Sequence, residues 1–257
     1  MDADDLNQMG DVAASAAPLV VPLAAGVLAG MYAKHRLAQV PATSTQGVKN
    51  MGRLGGLPAD YPFISVPKLD NALFTDSPND ALGLALQHGK REDVVSALKH
   101  RAAIAYDPEY KKPGIMAHEV GHARIAQGGG MRAFNQKYLR PAGAMLGVVS
   151  MLGSYLAGRA GYLTPPQRMG LLAAGGALAA IPTLINEHQA TGEAKKILDQ
   201  SNYSPEVRKK NTKALHAALT TYYAGGLALP VAALGSLAWW VQRKRVLENQ
   251  GHTVRWG

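Results

Sequence analysis

The chain has no cysteine among its 257 residues. Disulfides and thiolate metal ligands are therefore excluded, and a metal site must be built from histidine and carboxylate. Charge is also scarce, at 18% of residues, and four long stretches lack it altogether. Val12–Ala33, Pro141–Gly158, Met169–Asn186 and Tyr222–Val241 contain no Asp, Glu, Lys or Arg. Each approaches the roughly 20 residues that a helix needs to cross a bilayer. Phenylalanine is rare and Gly, Ala and Leu make up most of these blocks, so their hydropathy is moderate, and buried helices of a large soluble core are the alternative.

Before the first block there is no Lys or Arg, only Asp2, Asp4, Asp5 and Asp11. A cleaved signal peptide wants positive charge there, so the block reads as an uncleaved anchor. Gly26 and Gly30 give it a small-residue face for another helix. Lys34, His35 and Arg36 follow it, which places that end in the cytoplasm by the positive-inside rule. The net charge of +9 comes without interleaved aromatics or a nucleic-acid motif. It points to anionic lipid headgroups and away from nucleic acid.

What the chain does have is His118-Glu119-Val120-Gly121-His122. On a helix, residues four apart share a face, so His118 and His122 can bind one metal ion while Glu119 reaches toward water at that ion. Zinc with three protein ligands and an open position lowers the pKa of its water to roughly 7, and Glu119 is then the general base. Lys112-Pro113-Gly114 supplies a helix start and Gly128-Gly129-Gly130 a stop. Ala117, Gly121 and Ala123 leave room for close helix packing. The bland alternative is a solvated helix face with two unrelated histidines.

In chain order, the spacing predicts a loop or linker over Leu37–Asp60 and a short edge strand at Tyr61–Val66, confined to the edge by Pro62. A helix capped by Ser77 with Pro78 in its first turn ends at Gly89, and a second helix runs from Arg91 to His100. Arg101–Tyr106 reads as another strand, whose edge could hold a peptide by strand addition or could simply pack in a sheet. The second and third apolar blocks, joined at Thr164-Pro165-Pro166, form a membrane hairpin that returns the chain to the face of the two histidines. Ser204-Pro205-Glu206 opens a helix that leads into the last block, which ends at Trp239, Trp240 and Arg243-Lys244-Arg245.

HExxH, a hydrophobic hairpin, then Glu187-His188-Gln189-Ala190-Thr191 resembles the membrane-embedded zinc endopeptidases of the gluzincin type. These include the bacterial membrane neutral zinc metallopeptidases, the heat-shock membrane endopeptidases and the prenyl-protein-processing endopeptidases. The resemblance covers Lys112 to Leu198, roughly a third of the chain. It implies that Glu187 is the third zinc ligand, that Ala190 packs beneath it, and that Thr191 stands where a group orienting a ligand histidine belongs, although that position is usually Asp or Ser. Glu193 is the rival ligand. His188, His216, Tyr203 and Arg208 all follow Glu187, and none has spacing that singles it out as a transition-state donor. His35, His88, His100 and His252 read as surface histidines.

The expected fold is mainly α, a multi-span helical membrane protein with the HExxH helix, a transmembrane hairpin and a small α+β region before the metal helix. The expected parts are an anchor over 1–36, a linker and α+β region over 37–111, a zinc-peptidase core over 112–200, and a C-terminal helix, span and basic tail over 201–257. Four spans put both termini on one side, in conflict with an acidic start and a basic end. The bases around the HExxH helix and over Lys195–Lys213 place the active face in the cytoplasm. The functional expectation is a zinc metalloendopeptidase that acts on a peptide or protein near the bilayer. The alternative is a non-enzymatic, self-associating membrane pore or scaffold, delivered by a virus or a secretion machine, with a structural or degenerate zinc site.

Overall fold

The computed structural model describes residues 3–69, 72–109 and 111–249, with the backbone alone for 3–19. Asp2 and His252, named above, lie outside the described residues. The protein is mainly helical, with one small sheet. It divides into two compact units: one of residues through Gly30, Arg140–Leu184 and the chain from Thr221 on, the other of Met31–Leu139 and Ile185–Thr220.

The first unit carries the apolar blocks. Helix α1 (Ala3–Ala38) contains the first of them. Among the described residues, three helices are long and apolar enough to cross a membrane: Gly130–Arg159, Pro165–Asp199 and Pro205–Asn249. Four spans were expected; within the first block, Val12–Ala33, residues 12–19 are described by their backbone alone. Helices α7 (Arg140–Arg159) and α8 (Pro165–Asp199) pack as the expected antiparallel hairpin. Gly143 faces the Leu178 carbonyl, and a Cβ on Gly147 would lie 2.8 Å from that of Ala179. Ser154 Oγ donates to the Arg168 carbonyl at 3.3 Å. Small residues thus let two backbones approach closely, as in helix pairs that pack without a hydrophobic drive. Leu146, Val149, Leu152 and Leu156 of α7 are exposed, as a lipid-facing stripe would be.

The second unit is an α/β sandwich around three strands, β1 (Phe63–Ser65), β2 (Leu73–Thr75) and β3 (Ala103–Tyr106), in the order β1-β3-β2. β1 runs parallel to β3, with Ile64 opposite Ala105; β2 is antiparallel, with Phe74 opposite Ile104. β3 is therefore the central strand and not an exposed edge. All four of its residues are buried, and successive side chains enter different cores. Ala103 and Ala105 pack with Ala81, Ala85 and Ala97 of α3 (Pro78–His88) and α4 (Arg91–His100). Ile104 and Tyr106 join Met116 and Val120 of α5 (Pro113–Gly128) and Ile197 and Leu198 of α8. Burying each large apolar side chain contributes about 1.5–3 kcal/mol.

β1, α3 and α4 lie where the spacing predicts them. Ser77 Oγ accepts from the Asp80 amide at 3.4 Å. The expected loop over Leu37–Asp60 contains helix α2 (Thr45–Leu54), which is a correction. Ser44 caps it, with Oγ accepting from Gly47 N at 3.0 Å, and Val48 and Met51 bury one face against α5. Its Gly and Thr content hides that short apolar spacing. β2 has no counterpart in the sequence reading.

Candidate metal centre

α5 begins at Pro113, whose missing N–H costs nothing in a first turn. Lys112 provides no side-chain cap; instead the Gly114 amide donates to Asn211 Oδ1 at 2.6 Å. Asn211 is buried on α9 (Pro205–Asn249), so that helix fixes the start of α5. Farther along, Gly121 crosses α8 at Ala190, where a Cβ would lie 2.6 Å from the Ala190 carbonyl oxygen. The small residue between the histidines is what lets the two helices touch.

That contact brings Glu187, one turn before Ala190, to both imidazoles. Glu187 Oε2 is 3.0 Å from His118 Nε2 and 3.5 Å from His122 Nε2, and the two nitrogens are 3.2 Å apart. His122 and Glu187 are buried and His118 nearly so. The three residues form a group that could hold a metal ion. Ligands about 2.0–2.1 Å from a tetrahedral ion lie about 3.3 Å from one another, so the separations fit.

The chemistry of the outer nitrogens fits as well. His118 Nδ1 is 3.4 Å from Thr191 Oγ1, and His122 Nδ1 is 3.3 Å from Gln136 Oε1. With the Nδ1 protons directed at those oxygens, both Nε2 lone pairs face each other and a carboxylate, an arrangement that could hold a metal ion. Asn186, fully buried, holds its amide nitrogen 3.3 Å from the same His122 Nδ1, and its oxygen has no partner. Turned over, that amide would also accept from the ring.

The rival ligand is occupied elsewhere. Glu193 pairs with Lys196 at 2.8 Å, Arg124 at 3.0 Å and Arg132 at 3.4 Å. Glu119 is half-buried, and its Oε2 accepts from the Phe74 amide of β2 at 2.8 Å. The Phe74 ring lies parallel to that of His122, centroids 6.3 Å apart. This edge strand thus adjoins both the expected base and a candidate ligand.

The four downstream donors lie elsewhere. His188 and His216 are exposed, Tyr203 bonds to Thr43 Oγ1 at 2.6 Å, and Arg208 donates to the Asp199 carbonyl at 3.0 Å. His35 and His88 are exposed as expected. His100 is not, because it packs on Tyr61 and meets Asp60 at 3.1 Å. The sequence reading missed Phe74, Gln136 and Asn186. Only Asn186, a polar residue at the end of an apolar block beside Glu187, left a signal that could have been read. Comparison of the chain with protein-family models, curated proteins and solved structures finds no match.

Proposed function

We propose that the protein is an integral membrane zinc endopeptidase, with His118, His122 and Glu187 as ligands and Glu119 as general base. The observation that carries this reading is the convergence of three donor atoms from two crossing helices, with Glu119 next in sequence to the first ligand. Bound there, zinc would supply Lewis-acid polarisation of a carbonyl and a lowered pKa for water.

The remaining chemistry belongs to the chain. Glu119 takes a proton from water as its oxygen bonds to the peptide carbonyl carbon, then passes that proton to the nitrogen as the C–N bond breaks. The Phe74 amide, hydrogen-bonded to Glu119 Oε2, orients the carboxylate. The substrate is a peptide segment near the bilayer, and the active face is cytoplasmic.

The test is metal content per chain and cleavage of an unfolded reporter protein by the detergent-purified full chain. One zinc per chain, lost in Glu187→Ala, kept in Glu193→Ala and kept without cleavage in Glu119→Gln, supports the proposal. No zinc in the wild type after loading and desalting overturns it. Zinc without proteolysis in the wild type points instead to the structural site of a membrane scaffold.

A further inference from the structure

Between α5 and α7 the chain runs through α6 (Gly130–Phe134) and then a π-helical turn, Asn135–Leu139. Two adjacent polar residues of this turn point inward. Asn135 and Gln136 are buried, Ala133 and Arg140 are half-buried, and Arg132, Lys137, Tyr138 and Leu139 are exposed. The π turn is the local geometry that carries these two side chains into the interior, and such turns recur at functional sites.

Gln136 uses that placement to grip one residue twice. Its Nε2 donates to the His122 carbonyl oxygen at 3.2 Å, and its Oε1 lies 3.3 Å from His122 Nδ1. The first bond decides the second: an amide whose nitrogen is committed to a carbonyl must turn its oxygen toward the ring. Asn186, the other amide at that nitrogen, has no such anchor, since its oxygen is unpartnered. We propose that Gln136 is a positioning residue for the metal centre, holding the proton on His122 Nδ1 so that Nε2 presents its lone pair beside His118 and Glu187. This rests on the metal-centre reading above, and it assigns the π turn a purpose: it delivers an acceptor to the outer nitrogen of the second ligand histidine.

The test uses the full chain in detergent. Zinc affinity is measured by chelator competition for wild type, Gln136→Met and Gln136→Glu, with the visible absorption of cobalt-loaded protein and the unfolding midpoint of metal-free protein beside it. Gln136→Met, similar in length but without an acceptor oxygen, is expected to bind zinc about 10–100-fold more weakly and to alter the cobalt spectrum. Gln136→Glu keeps an oxygen for the ring and loses the donor to the carbonyl; it is expected to restore wild-type affinity and spectrum. Wild-type zinc binding that is unchanged in Gln136→Met overturns this proposal alone. Gln136→Glu binding as weakly as Gln136→Met also overturns it, because the loss would then follow the backbone contact and not the ring. Should Gln136→Met fail to fold, Gln136→Ala, which also lacks the acceptor oxygen, takes its place in the same comparison. A wild type that holds no zinc removes the metal centre itself.

Discussion

Gly121→Ala is the substitution that most directly probes how the site is assembled. The new Cβ would lie 2.6 Å from the Ala190 carbonyl oxygen and 3.3 Å from Ala190 C and Cα. Both flanking groups are backbone, so no side chain can swing aside. Opening the shortest contact to an ordinary 3.4 Å separates α5 from α8 there by about 0.8 Å. The candidate ligands sit on opposite sides of that contact, His118 and His122 on α5 and Glu187 one turn away on α8. Metal sites tolerate about 0.2 Å in ligand distance, so the donors cannot keep their separations without forcing the helices together. Overpacking of this kind costs about 1–3 kcal/mol. If metal-free protein relaxes and metal-bound protein cannot, zinc affinity falls by about 5- to 150-fold. Chelator competition measures it directly. Gly192→Ala on α8 is the control: nothing lies within 4 Å of its added methyl, and the helix should gain about 0.5–1 kcal/mol. If Gly121→Ala binds zinc as tightly as wild type, the close crossing does not set the ligand geometry.

Three smaller effects are expected. Thr191→Val removes the oxygen 3.4 Å from His118 Nδ1 and should weaken zinc binding about tenfold, with Thr191→Ser close to wild type by the same titration. Tyr61 is buried with an unpartnered hydroxyl, and burial pushes its ionisation upward. Tyr61→Phe should therefore leave the urea midpoint unchanged or raise stability by up to about 1 kcal/mol. The Asp60 carboxyl is held below its ordinary pKa by hydrogen bonds from Lys99 and, less strongly, His100. Its contribution is present above the unfolded carboxylate range and is lost as pH falls through the lowered folded value, so Asp60→Asn should flatten the acid limb of the stability profile. An acid limb as steep in Asp60→Asn as in wild type would show that the steepness arises elsewhere.

How much of this could be read along the chain depends on how local each signal is. Helices α3 and α4 announce themselves because a capping serine, a first-turn proline and a terminal glycine act within a few residues of the backbone they control. The spacing of His118 and His122 is likewise local: a helix puts them on one face whatever surrounds it. The hairpin follows from two uncharged stretches and a short turn.

The sequence by itself determined most of the helices (though not α2), the apolar stretches and the pairing of His118 with His122, since each depends on periodicity or capping within one segment; Glu187 is reached only through the resemblance. Only the tertiary structure decided the rest. Ala103–Tyr106 lies at the sheet centre because β1 and β2 pair with its two edges, and helices bury both of its faces; a four-residue run cannot reveal what packs on it. Glu187 reaches the histidines and Glu193 does not, because one turn of α8 faces Gly121 across the helix crossing while Glu193 meets Arg124, Arg132 and Lys196. Gln136 meets His122 through a π turn and Phe74 reaches Glu119 from a strand. Such contacts form between segments far apart in the chain, where no residue spacing records them.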